Sequence, residues 1–161
     1  MAWMELLEAL SYGVTILGFP LAIGVLVHQQ REQRQNEENA LHRMLSEEYD
    51  VFVKLTLEHS DLLLMRRGAP QPELTPEQQE RRHILFSVLT SLFEKAYIIM
   101  YSQHMTRDTT RLWLSWEDDM REWCAREDFR SALPELLEGE DDEFSEHIRA
   151  IAAEEEAAAR P

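Results

Sequence analysis

The sequence predicts an all-α protein, a single N-terminal transmembrane helix joined to a cytoplasmic helical bundle of about three to four helices. Three observations carry that expectation. Residues 9–27, ALSYGVTILGFPLAIGVLV, contain no charged side chain. Beyond residue 40, apolar residues recur at steps of three and four, the period of one helix face. Five glycines and six prolines in 161 residues leave long stretches unbroken, and no alternating strand pattern competes.

The N-terminal segment, residues 1–27, holds the expected span. Nineteen residues at helical rise cover ~28 Å, close to the ~30 Å hydrocarbon core of a bilayer. Ser11, Tyr12 and Thr15 interrupt it, and small hydroxyls cost little in lipid because they bond back to the helix. Trp3 and Tyr12 lie toward one end, where amphipathic rings favour the interface. A cleaved signal peptide fits poorly. Met1 to Tyr12 lacks Lys and Arg but contains Glu5 and Glu8, and the apolar run passes straight into His28-Gln29-Gln30-Arg31 without a small-x-small site. Arg31, Arg34 and Arg43 follow the span and no basic residue precedes it. The positive-inside bias therefore predicts a single-pass inner-membrane protein with its N-terminus outside. Pro20 should kink the span. Gly18 and Ala22 form a small-xxx-small pair that permits close packing with another membrane protein or with a second copy.

Residues 28–40 are polar all round and read as a helical stalk of ~18 Å or as a flexible linker. The helical domain is expected over residues 41–153. Its first helix follows Leu41, Leu45, Tyr49, Phe52, Leu55 and Leu62 and stops at Arg66-Arg67-Gly68, before a proline-bearing loop over residues 69–74. Thr75-Pro76-Glu77-Gln78 reads as N-cap, N1 proline and capping-box glutamine. The helix it starts should reach about Tyr101, and its run ILFSVLTSLFEKAYIIMY is apolar enough to suggest a second span. Glu94 and Lys95 within that run would each cost about 2.5 kcal/mol or more at a bilayer centre, so a buried core helix is expected instead. A third helix is predicted over residues 109–125 behind an Asp108 N-cap, and a shorter fourth over residues 128–137, interrupted by Pro134. A last helix should start near Asp141 and bury Phe144, Ile148 and Ile151. Residues 154–161 read as an acidic, alanine-rich tail.

Charge narrows the function classes. The chain has 31 acidic and 16 basic residues, a net charge of −15, which opposes nucleic-acid binding and adhesion of the soluble part to an anionic leaflet. From residue 135 onward ten acids face only Arg149 and Arg160, a solvated surface or a docking site for a basic partner. One cysteine, Cys124, excludes an intramolecular disulfide. It is flanked by Glu122, Glu127 and Asp128, which disfavour a reactive thiolate. Glu80 and His83 make the chain's one Glu-x-x-His pair, whereas a di-iron bundle needs two. No nucleophile elbow or phosphate-binding glycine loop occurs. The sequence therefore predicts neither an enzyme nor a metal or cofactor site.

Two features of the domain stand out. Trp113, Trp116 and Trp123 share a helical face with Met120, as a core stripe or, if exposed, as anchors for a partner. Glu94 sits in the most apolar helix, at its edge beside Lys95 or as a buried carboxylate accepting an indole N–H from Trp113 or Trp116. An N-terminal span, a polar stalk, then residues 49–62, Phe93-Glu94-Lys95-Ala96-Tyr97, Trp113-x-x-Trp116 and Asp128-Phe129-Arg130 together resemble bacterial membrane-anchored helical proteins classed as domains of unknown function. The resemblance implies a cytoplasmic helical domain on one anchor and no catalytic residues. The expected function is interaction, as an accessory or scaffold subunit of an inner-membrane assembly. The alternative is a self-assembling, channel-like membrane effector, for which Ser11 and Thr15 are the only polar pair on one face of the span.

Overall fold

In a computed structural model of the chain, residues 2–66, 73–101, 105 and 107–160 are described, with the backbone alone for 2–22, 31, 34, 35, 37–39 and 108. Among the described residues all regular structure is helical. The helices are α1 (Ala2–Glu58), α2 (Pro76–Met100), α3 (Arg107–Cys124), α4 (Glu127–Leu136) and α5 (Asp142–Ala159), with a 3-10 turn at Ser60–Leu62 between the first two. Contacts divide the chain into residues 1–40 and residues 41–161.

The first unit is helix throughout its described length, so the backbone of the 28–40 stretch is helical. Ile23, Val25, Leu26 and Val27 are 40–59% exposed. The side chains of Gly18, Pro20 and Ala22, on which close packing of the expected span depends, lie outside the described residues.

The second unit is a bundle assembled on α2. Thr75 accepts the Gln78 N–H through its side chain, and the Gln78 side chain accepts the Thr75 N–H in return. That satisfies two N-terminal donors, while Pro76 at N1 has no N–H to satisfy. Leu85, Phe86, Leu89, Phe93 and Ala96 are buried because their spacing keeps them on one side of the cylinder. Among the described residues α2 is the helix long and apolar enough to cross a membrane by length and composition, and half of its apolar window is buried within the bundle. Lys95, which would burden a span, is paired with Glu48 at 2.9 Å.

Four aromatic rings from four helices meet at Trp123. Its ring lies 5.6 Å from Phe52 of α1, 6.1 Å from Phe86 of α2 and 6.0 Å from Phe129 of α4, all edge-on. Edge-to-face packing sets the positive ring edge against the negative face of its neighbour and adds to the burial of area. Leu45, Met120, Phe144 and Ile148 are also fully buried in the same core.

The helix boundaries depart from expectation in four places. Leu62 is buried from the 3-10 turn, since α1 ends at Glu58 and Leu63 adopts a left-handed φ of 51°. Asp108 does not cap α3, which already includes Arg107. Pro134 does not interrupt α4. It lies near the C-terminal end, where the Leu137 N–H still reaches the Leu133 carbonyl at 3.0 Å, so one missing donor is tolerated. Residues 154–159, expected as part of an acidic tail, are helical and form the last turns of α5, exposed except at Glu155. Arg121 of α3 holds Glu154 at 2.7 Å and Glu155 at 3.5 Å, and Ile151 and Ala152 are buried just before them. Gly139, at φ 92°, makes the turn between α4 and α5, a conformation that a side chain disfavours.

The packing at Trp123 sets an expected outcome. Phe52→Ala should destabilise the bundle by about 3–5 kcal/mol, the cost of truncating a buried aromatic. Leu57→Ala, at a side chain 66% exposed, should stay within about 0.5 kcal/mol. Denaturant unfolding followed by tryptophan fluorescence compares the two, and equal effects would contradict the packing described.

Candidate interaction surface

The three tryptophans are core. Trp113, Trp116 and Trp123 are 2%, 5% and 4% exposed, so none is placed to anchor a partner. The amphipathic pattern of α3 forces this result, because its apolar side is the one that α2 and α5 cover. Glu94 does not meet an indole either. The Trp113 N–H donates to Glu117, one turn along α3, at 3.1 Å. Glu94 is half-buried and accepts the backbone N–H of Asp141. Asp141 in turn caps α5 by accepting the Phe144 N–H at 2.9 Å. A carboxylate of α2 thus fixes the residue that starts α5.

That corner concentrates acid. The Glu140 carboxylate accepts the Ser91 hydroxyl at 3.1 Å. Burial raises the Glu140 carboxyl above the usual carboxylate range, and a hydrogen bond shared with the Glu94 carboxyl raises it further. Two carboxylates in contact do not both ionise without cost.

A second polar node, absent from the sequence reading, lies at the other end of α2. The Asp128 side chain is 4% exposed and accepts Arg126 Nε at 3.0 Å and Nη2 at 2.8 Å, while Arg82 of α2 approaches at 3.3 Å. Arg126 also donates to the Leu64 carbonyl at 2.8 Å. Its guanidinium lies 5.8 Å from the Trp123 ring centroid, and that of Arg82 lies 5.9 Å from Phe86. The sequence carries part of the signal in Asp128-Phe129-Arg130. The partners that decide the role, Leu64 and Arg82, are 62 and 46 residues distant, beyond any local pattern.

No group of three or more His, Cys, Asp or Glu is placed to hold a metal ion among the described residues. Glu80 is exposed, and His83 lies 3.8 Å from Glu135. Burial pushes the Cys124 thiol up to about 12, with Glu155 adding to the shift, so the thiolate that reactivity requires does not form near neutrality. His147 is packed among Tyr97, Tyr101 and Trp113 with ring centroids 5.2–5.6 Å away. Burial lowers its basicity, and its buried Nε2 has no hydrogen-bond partner, which favours the neutral ring.

Exposed aliphatic side chains stand on α1 and α2, among them Met44, Val51, Ile84, Val88 and Ile98. The Glu48–Lys95 pair and the bond from Gln78 to Asp61 at 2.9 Å show that the two segments are antiparallel. Between them opens a groove of about 280 Å³ lined by Glu48 of α1 and by Ser87, Val88, Ser91, Leu92 and Lys95 of α2. Comparison with family models, curated proteins and solved structures finds no match for the chain.

Two outcomes follow. Asp128→Ala removes the buried carboxylate that Arg126 and Arg82 share and should cost about 3 kcal/mol, whereas Asp118→Ala, away from that node, should cost under about 0.5 kcal/mol; thermal melts of the two variants test this. Because the Glu140 carboxyl is raised in the folded state, the stability it contributes is complete below its ordinary value of 4.5 and is lost as pH rises through the raised value. Glu140→Gln should therefore raise the melting temperature at pH 7, with the difference closing below about pH 4.5. A gain that does not depend on pH would contradict the shared proton.

Proposed function

We propose that the chain is a membrane-anchored interaction protein, an accessory or scaffold subunit of an inner-membrane assembly. One span over about residues 9–27 anchors it, with the N-terminus outside and the helical domain in the cytoplasm. The observation that carries this reading is the uncharged nineteen-residue run within α1. Ile23, Val25, Leu26 and Val27, the part of it whose side chains are described, are substantially exposed. Aliphatic side chains around a helix with nothing packed on them find their solvent in lipid.

An interaction role, rather than a catalytic one, is supported by how the bundle uses its polar groups. Asp128, Glu94 and Asp141 are each engaged in holding helices together, and the Cys124 thiol is inert. The lipid bilayer and another membrane protein are the partners this reading implies, with packing in the membrane through Gly18, Pro20 and Ala22. It involves no nucleic acid, cofactor or metal.

Two measurements test the reading. Leu17→Arg places a charge near mid-span at a cost of about 2.5–3.5 kcal/mol, so the variant should shift from the alkali-resistant membrane fraction toward the soluble one. The unsubstituted chain should stay with the membrane. Extraction in mild detergent followed by mass determination should give a complex with other membrane chains in fixed stoichiometry. A homo-oligomer with nothing else bound would overturn the accessory-subunit reading.

A further inference from the structure

His147 stands on α5 where that helix meets α2 and α3. Its ring centroid lies 5.2 Å from Tyr97 of α2, 5.6 Å from Tyr101, the C-cap of α2, and 5.6 Å from Trp113 of α3. Those three rings are themselves joined. Tyr97 stacks on Tyr101 at 4.7 Å, and the two reach Trp113 at 5.8 Å and 5.2 Å. Phe144, fully buried and one turn before His147, meets the same Tyr97 at 5.9 Å. The histidine therefore belongs to the contact that seats α5 on the two helices beneath it.

Among the described residues, no partner reaches its buried Nε2. Ser145, two residues earlier, also buries its hydroxyl without one. A neutral imidazole tolerates this by carrying its proton on Nδ1 and leaving Nε2 a bare acceptor. An imidazolium has an N–H at both nitrogens, and a charged donor buried without an acceptor is costly. A ring face attracts a cation, but it does not replace the missing hydrogen bond.

The charges that face the ring do not supply the deficit. Glu117 and Arg121 act on it from α3 and Glu154 from α5. Arg121 holds Glu117 at 3.0 Å and Glu154 at 2.7 Å, so both acids are already matched. From α2 and its cap come Tyr97 and Tyr101, and burial raises the Tyr97 hydroxyl further from ionisation. Asp141, Glu143 and Glu146 of α5 act on that tyrosine and are exposed. Burial accordingly holds His147 below the ordinary 6.5. A group lowered in this way stabilises the fold above that value, and the contribution is lost as pH falls through the lowered one.

We propose that His147 is an acid-sensitive latch: a proton taken up by its ring loosens the seat of α5 on α2 and α3. The rest of the bundle keeps its own contacts. The Arg126–Asp128–Arg82 node and the rings around Trp123 lie on α1 to α4 and do not involve α5. Mild acid thus frees α5 ahead of the bundle and uncovers Tyr97 and Trp113.

The test compares the full chain in phosphatidylcholine nanodiscs at pH 7.5 and pH 5.5 by hydrogen exchange and mass spectrometry. Each rate is divided by that of the unstructured peptide, which removes the intrinsic effect of pH. Residues 144–152 should lose protection severalfold at the lower pH while residues 129–136 of α4 keep theirs. His147→Phe, aromatic but with no proton to gain, should hold the protection of α5 constant over the same range. His147→Gln, smaller and also uncharged, should do the same and covers a misfit of the larger ring. The stability from Glu140 grows as pH falls, but Glu140 is common to all three chains, so the difference between them belongs to His147. Unchanged protection in the unsubstituted chain overturns the proposal. So does a step that persists in both variants, and so does equal loss across α4, the mark of general acid unfolding.

Discussion

The buried carboxylate of Asp128 is the constraint around which the bundle is organised. A charge 96% removed from solvent in its side chain is tolerable only when paired and hydrogen-bonded, and two arginines do both. The consequence reaches beyond the ion pairs. Arg126 and Arg82, held by one acid, place their planes near Trp123 and Phe86, two of the four rings that join α1, α2, α3 and α4. The hydrogen bond from Arg126 to the Leu64 carbonyl then fixes the chain just after the 3-10 turn. One acid therefore sets the spacing of the core at this end and closes the corner between α1 and α2. A buried charge network is weak evidence for stability as such; here it lies against two rings of the aromatic core.

The opposite end of α2 is organised by a different logic. There Glu94 meets the start of α5 with its carboxylate, and Glu140 lies beside it. The arrangement positions α5 but sets like charges against one another. Farther along, the same helix meets relief, because Arg121 of α3 gathers Glu117, Glu154 and Glu155. A chain carrying −15 can fold into a bundle when its few cations are spent on contacts between helices. Lys95 to Glu48, Arg82 to Asp128 and Arg121 to Glu154 all cross between elements.

Local chemistry was legible in the sequence and tertiary chemistry was not. The capping box at Thr75 and Gln78 is written within four residues and is read at its true position; the start of the last helix near Asp141 is read as well, though not the cap that Asp141 supplies. The 3-4-3 spacing of Trp113, Trp116, Met120 and Trp123 identifies a common face, but period alone does not say what covers it. The misreadings have the same origin. Pro134 is a breaker in isolation, yet near a helix end it removes one bond that the buried Leu133 and Leu136 outweigh. The ion pairs that hold residues 154 and 155 to α3 go unread because Arg121, thirty-three residues before Glu154, is invisible to a local window. Of the two readings of Glu94, the bond to an indole is not formed, because Glu117 lies closer to Trp113 along its own helix. The Arg126–Asp128–Arg82 node went unread because its members are ordinary charged residues until folding brings them together.

Net charge also bears on what such a chain can join. Self-assembly places copies carrying −15 each at short range, and repulsion between them grows with every added copy. Screening at physiological ionic strength reaches about 8 Å, too long to protect acids brought into direct contact. A homo-oligomer would therefore have to draw its stability from lipid-facing helix packing, where close approach through small residues contributes without regard to the charge of the domains. A basic partner reverses the sign of the same term, and the acids of this domain then add to association. The same composition argues against nucleic acid and against anionic lipid as partners of the folded domain.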